Sequence, residues 1–287
     1  MPDIDVTEAY EVANHIWIDL LAPSYPVIHL SNTYGTATIA LHGAHVISYT
    51  PTQQKPVIFT SQEAIYKEGK AIRGGIPICW PWFNAHPSDS TLPSHGYARN
   101  QFWEIVSSDH TQDLTSITLE LTHQKLKVTA TISLGVSLEV SLTTTNLSEE
   151  IQTVGGALHS YFSISDIEKI SISGLENTHF IDTLTETEEL QKGEIFIHEE
   201  TDRIYLNTSE TVSIYDPEWN RTFFIDKAGS QSTVVWNPWI EKSTAMADLG
   251  NDEYREFVCI EAANARDDVY NLAPAGSHTL STKITSV

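Results

Sequence analysis

A glutamate inside an apolar strand is the residue in this chain with the sharpest chemical consequence. In REFVCIEAAN, Phe257, Cys259 and Glu261 fall on one face of a period-two strand, and Val258, Ile260 and Ala262 on the other. Both faces are apolar, so Glu261 points into protein whichever face is the core. A carboxylate there is costly unless paired or protonated, and burial raises its pKa. It is either a strand-end group reaching solvent or an internal ion pair, or a carboxylate kept for proton transfer; the cost of keeping it inside favours the last. In VGGALHSYF the same alternation puts Ala157, His159 and Tyr161 on one face. His159 is a hydrogen-bonded core histidine or a second proton-transfer group.

The cations are scarce enough to be informative. The chain carries 16 Lys and Arg against 38 Asp and Glu, a formal net charge of -22. Such a field repels nucleic acid and anionic membrane surfaces, and neither is expected as a partner. An anionic small molecule would need a local positive site. Arg73 precedes two glycines in RGG, and HGYAR sets His95 and Arg99 four positions apart. Two guanidinium forks flanking a pocket make an anion clamp, whereas the same residues on the surface make weak ion pairs. Spacing leaves both readings open. His95, His159 and Glu261 have no metal-ligand spacing, so no metal is expected. No Gly-rich loop leads into a helix and no GxSxG elbow occurs, so neither a nucleotide cofactor nor an elbow serine is expected.

The elements that must position these groups read as strands. Ile117, Leu119 and Leu121 alternate with polar residues, as do Val128, Ala130, Ile132 and Leu134, then Val136, Leu138, Val140 and Leu142. Further strands are expected at 211–216, 221–226, 232–236, 255–263 and 278–285, and earlier at VIHLS, TATIALHG, HVISYT and PVIFT. Helical turns are expected only after Pro2 and in SQEAIYKEG. Many short strands without βαβ alternation predict an all-β sandwich or barrel. Between Arg73 and Trp103 the alternation stops. The segment is rich in Gly and Pro, and Trp80, Trp82, Phe83, Tyr97, Phe102 and Trp103 supply too much apolar surface to leave in water. An ordered aromatic loop of this kind suits a sugar, whose C–H faces pack on aromatic rings.

At 287 residues the chain is expected to form one domain over 1–287, with 1–25 as an N-terminal extension packing on it. Cys79 and Cys259 sit in apolar runs and read as buried reduced thiols. With no signal-peptide pattern and no apolar run of about 18 residues, a cytoplasmic protein is expected. A monomer is the default expectation.

Taken in order, RGGIPICWPWF, LPSHGYARNQFWEI, GGALHSYF, TDRIY and FVCIEAAN resemble the hexose-6-phosphate mutarotases, the glucose-6-phosphate 1-epimerase branch of the aldose 1-epimerase superfamily. The resemblance runs from about residue 30 onward. It implies a large antiparallel β-supersandwich of galactose mutarotase-like type. It implies the interconversion of α and β anomers of a hexose 6-phosphate by acid/base ring opening and closure, without cofactor. Glu261 matches the family's general base and His159 its general acid. His95 matches a histidine that helps polarise the sugar, Arg73 and Arg99 the phosphate-binding arginines, and Asp202 in TDRIY an acidic residue that holds sugar hydroxyls. The position before HG lines the site in relatives; here it is Ser94. The alternatives are a mutarotase for free galactose or glucose, and a non-catalytic sugar-phosphate-binding protein on the same scaffold.

Overall fold

The long alternating segments form the backbone of the architecture. In the computed structural model, which describes residues 8–287, Thr115–His123, Leu126–Leu134 and Leu138–Asn146 pair antiparallel, with buried and part-exposed residues alternating along each. They belong to an eight-stranded sheet that continues through Ser277–Ser286, Arg221–Ala228, Val212–Asp216 and Ser171–Ser173 on one side and Glu104–His110 on the other. Its inward row includes Ile117, Leu119, Val128, Ala130, Ile132, Leu134 and Leu138, all fully buried. Each of its Val, Leu and Ile side chains contributes about 1.5–3 kcal/mol relative to exposure. Ile16–Ala22, Tyr25–Asn32, Gly35–Ala40 and His45–Pro51 make a four-stranded antiparallel meander.

A second eight-stranded sheet carries the site. Its order runs Thr187–Leu190, His179–Asp182, Thr201–Tyr205, Ser232–Asn237, Phe257–Asn264, Gly156–Leu158, Ile78–Cys79, with Tyr161–Ser163 also paired to Phe257–Asn264. Every residue of Phe257–Asn264 and of Ser232–Asn237 is buried. One face of this sheet joins the main core through Leu158, Val235, Val258, Ile260 and Ala262. The opposite face, with Ala157, Tyr161, Ile204, Val234, Trp236 and Cys259, forms a second apolar cluster with Phe59 and Cys79. Glu261 sits on this second face, inside protein as its strand pattern required. Both cysteines are free thiols and fully buried.

Several local expectations change. SQEAIYKEG forms turns and no helix. PVIFT joins no strand and pairs only through isolated bridges at Ile58 and Thr60. Val136 is 68% exposed in the turn between two long strands, so the apolar alternation there resumes at Leu138. The one α-helix among the described residues, Trp239–Ala245, follows Asn237-Pro238, and its seven residues are too few for an amphipathic period to stand out. The expected turn after Pro2 begins in residues 1–7, outside the described residues; Glu8–Tyr10 is one turn of 3-10 helix. Among the described residues no helix is long and apolar enough to cross a membrane.

Candidate active site

Strand register brings the proton-transfer candidates together. Leu158 is opposite Ala262 and Tyr161 opposite Cys259, so the intervening His159 falls opposite Glu261, and paired residues share a face. On the other side Val234 pairs with Glu261, and Trp236 with both Cys259 and Asp202. The sequence-expected alternation of Ala157, His159 and Tyr161 is kept although the ladder is interrupted at His159 and Ser160. His159 Nε2 lies 3.3 Å from Glu261 Oε1. Glu261 Oε2 and His159 Nδ1 are both buried and have no partner among the described residues. Buried polar atoms left this way in a native fold call for an explanation, and a ligand group is one.

The pair's electrostatics follow from burial. Desolvation pushes the Glu261 carboxyl well up, the charge of Asp202 adds to this, and Arg99 opposes it. Desolvation pushes the His159 imidazole well down, helped by His95, Arg99 and Arg73. A raised carboxylate is a stronger base and a lowered imidazolium a stronger acid.

The loop from Arg73 to Trp103 places the remaining groups. It is irregular apart from Ile78–Cys79 and a 3-10 turn at Ala98–Asn100. Trp80 and Trp103 anchor it in the core, donating from their indole nitrogens to Thr144 Oγ1 at 2.9 Å and the Ala98 carbonyl at 3.0 Å. The aromatic residues that reach the cavity are Phe83 of this loop and Trp236 and Tyr161 of the sheet. Gly96, at φ +70, packs so tightly that a Cβ would lie 1.9 Å from the Trp80 carbonyl oxygen. His95 itself is left-handed, φ +64, a conformation unfavourable for a non-glycine residue and concentrated at functional sites. Its backbone N–H donates to the Asn84 carbonyl at 2.8 Å, and the Asn84 N–H donates to His95 Nδ1 at 3.2 Å. With Nδ1 accepting, the proton of the neutral ring sits on Nε2. Burial, with Arg99 and Arg73, lowers His95 to about 3, so it stays a neutral donor.

A cavity of about 370 Å³ opens between loop and sheet. Arg73, Ser94, His95, Arg99, His159, Asp202 and Glu261 all line it, so the seven residues expected from sequence converge on one site. Phe83, one of the loop aromatics expected to wall a sugar site, lines it too, and Asn84, Trp236, Lys242 and Met246 also line it and were not expected. Asn84 carried a signal, lying in the aromatic loop, whereas Lys242 and Met246 come from the helix and the turn after it, where no motif marked them. Three of the chain's 16 cationic side chains thus face one cavity.

They are not equivalent. Arg73 Nε and Nη2 donate to the two oxygens of Asp248, each at 3.2 Å. Burial opposes charge on Arg73, but Tyr161 and Asp248 outweigh it and hold the guanidinium above its ordinary range. Lys242 Nζ donates to Glu200 at 2.8 Å. Arg99 has no carboxylate partner among the described residues; Nη2 donates to the Ser94 carbonyl at 3.1 Å and Nε is buried without a partner. The role of Ser94 visible here is therefore its carbonyl holding Arg99. The Asp202 carboxyl, half-buried at the floor, is raised by desolvation.

The chain matches known proteins along nearly its whole length. The family model described as aldose 1-epimerase matches residues 26–285. A protein of Escherichia coli K12 named "Putative glucose-6-phosphate 1-epimerase" is 34% identical over 261 residues, covering 87% of this chain and 84% of the other. One of the same name from Cenchrus ciliaris is 35% identical over 247 residues, covering 79% and 74%. The crystal structure of a "putative mutarotase" from Salmonella typhimurium superposes with TM-score 0.90 at 28% identity, covering 99% of both chains. A galactose mutarotase-like protein from Clostridium acetobutylicum, 14% identical, shares the fold at TM-score 0.73. The architecture is the galactose mutarotase-like supersandwich, and with 260 consecutive residues accounted for by one family model, the chain belongs to the aldose 1-epimerase family.

Proposed function

We propose that this protein interconverts the α and β anomers of hexose 6-phosphates, glucose 6-phosphate foremost, with Glu261 as general base and His159 as general acid. The observation that carries the reading is the buried His159–Glu261 contact at 3.3 Å in a cavity whose Arg99 has no carboxylate partner among the described residues. The names of the relatives point to the same ester. A phosphate monoester is charged and stays in the compartment where it is made, which together with two reduced thiols supports a cytoplasmic location.

With the pair's one proton on His159, Glu261 removes the proton of the C1 hydroxyl while His159 protonates the ring oxygen. The C1–O5 bond breaks, leaving an aldehyde, a protonated carboxyl and a neutral imidazole. These are the protonation states that burial favours for both groups, so the site's electrostatics assist ring opening. Rotation about C1–C2 presents the other carbonyl face. Closure returns the hydroxyl proton to His159 and the carboxyl proton to C1 oxygen, restoring the starting state. Each proton transfer is worth about 10²–10⁴ in rate. In this reading His95 donates from Nε2 to a sugar oxygen, Asp202 accepts from sugar hydroxyls, and Arg99 leads in binding the phosphate, with Arg73 and Lys242 adding positive charge.

The test is two-dimensional exchange NMR on equilibrated glucose 6-phosphate, following α/β cross-peaks at catalytic protein concentration. Faster exchange for the ester than for glucose is expected. Acceleration of glucose or galactose alone would move the protein to free aldoses, and none at all would leave a sugar-phosphate binder.

The pH profile has a sign set by the same burial. The pair works while it holds one proton between its two titrations, which belong to the pair. A lowered His159 takes up the second proton only below the ordinary imidazole value of about 6.5. The acid limb of kcat is therefore expected below pH 6.5. It should be read in kcat, since the ester's own ionisation near pH 6 enters kcat/KM. A limb centred at or above 6.5 would show that His159 is not desolvated in the working complex.

A further inference from the structure

Arg73 reaches into the interior as well as toward the cavity. Its Nε and Nη2 are held by both oxygens of Asp248, and its Nη1 donates to Tyr161 Oη at 3.2 Å. The Tyr161 ring, 2% exposed, stacks on the His159 imidazole with centroids 4.9 Å apart and planes 14° from parallel. Trp236 is edge-on to His159 at 5.6 Å and to Tyr161 at 5.9 Å, and Phe257 packs on the Tyr161 ring at 5.0 Å. Asp248 lies in the turn after the helix Trp239–Ala245, and no motif marked it.

We propose that Asp248 is a positioning residue for His159, acting through Arg73 and Tyr161. The inference rests on His159 being the general acid, as read above. A bidentate carboxylate–guanidinium pair has one preferred geometry, which a single contact lacks. It fixes the position of Arg73 Nη1, hence of Tyr161 Oη and the place of the ring's far end under the imidazole, while Trp236 and Phe257 pack against the ring itself. Among the described residues the imidazole has no hydrogen bond at Nδ1 to set its orientation. The stack and the contact with Glu261 set it instead. Loss of the Asp248 charge lets Arg73 turn toward the cavity, and the Tyr161 ring beneath His159 is no longer held at its Oη end.

The linkage separates from phosphate binding by substrate. A tilted general acid slows every sugar alike, whereas altered phosphate contact changes only the ester. Asp248→Asn is expected to lower kcat for glucose 6-phosphate and for glucose by one common factor of about 10, within the roughly 10²-fold that a 1 Å misplacement costs. Asp248→Glu, which keeps the charge, is expected to recover most of the loss. Tyr161→Phe is expected to lose a similar factor, and the double variant to lose no more than either single one, since both cut the same chain. A change confined to the ester, or multiplicative losses in the double variant, would overturn the proposal.

Failure of the functional reading itself shows separately, as a wild-type protein that accelerates no exchange. In that event the same cycle is read on the ¹⁵N signals of the His159 imidazole without substrate. Coupled shifts for Asp248→Asn and Tyr161→Phe support the linkage, and additive shifts overturn it.

Discussion

Glu261→Gln is expected to lower kcat for anomer exchange of glucose 6-phosphate by about 10²–10⁴-fold, and to raise the melting temperature near pH 8. The first effect follows from the loss of the base in a shape-conserving change. The second follows from linkage. The folded-state pKa of Glu261 is raised by desolvation, so the protonated carboxyl's favourable contribution is fully present below the ordinary carboxylate value. It is lost as pH rises from there through the folded-state value. Glutamine imitates the protonated form at every pH. The variant is therefore expected to melt above wild type at pH 8 and level with it near pH 4, in paired melts at the two values. A variant both inactive and less stable at pH 8 would make Glu261 a structural ion-pair partner. Full activity in a folded Glu261→Gln protein would remove the base assignment.

Arg99→Ala is expected to raise KM for glucose 6-phosphate by about 10–100-fold, from the 1.5–3 kcal/mol of a hydrogen bond to a charged group at 1.4 kcal/mol per decade. Slow turnover of glucose is expected to stay as it is. Arg99 leads because no carboxylate competes for it among the described residues, whereas Arg73 is held by Asp248 and Lys242 by Glu200. Arg99→Lys is expected to recover only part of the affinity, because an ammonium lacks the planar fork. Arg73→Ala should behave differently, slowing ester and free sugar together if its connection to Tyr161 is the larger part of its role. An equal KM effect on both substrates in Arg99→Ala would show that Arg99 binds the sugar and not the phosphate. These steady-state comparisons use the same two sugars and give opposite patterns for the two arginines.

The protein's bulk charge bears on the second result. In a chain of net charge -22, an anionic substrate is repelled at long range and held only by local charge. A site with an uncompensated arginine is where that charge is available.

Much of this protein was readable from its sequence, for a definite reason. Half-buried strands of nine residues repeat their apolar side every second position, and Thr115–His123, Leu126–Leu134 and Leu138–Asn146 did so plainly enough to set the fold class. Glu261 stood out because an ionisable group between two apolar faces violates that pattern. The motif series from RGG to CIEAAN then named seven residues that now line one cavity. Some of the shortest strands were missed, Ser171–Ser173, His179–Asp182 and Thr187–Leu190 among them, because so few positions show no period.

What tertiary structure alone decided is how those seven residues divide the work. Arg73 and Asp248 are 175 residues apart in the chain, and nothing local in either marks the other as its partner. The contact of His159 with Glu261 depends on a cross-strand register set over the whole sheet. Lys242 and Trp236 enter the cavity from elements whose packing, not composition, points them there. Composition and periodicity are properties of neighbours along the chain, so they determined the strands and the presence of a buried acid. Charge compensation is a property of neighbours in space, and only the fold could decide that Arg99, and not Arg73, faces the cavity without a carboxylate.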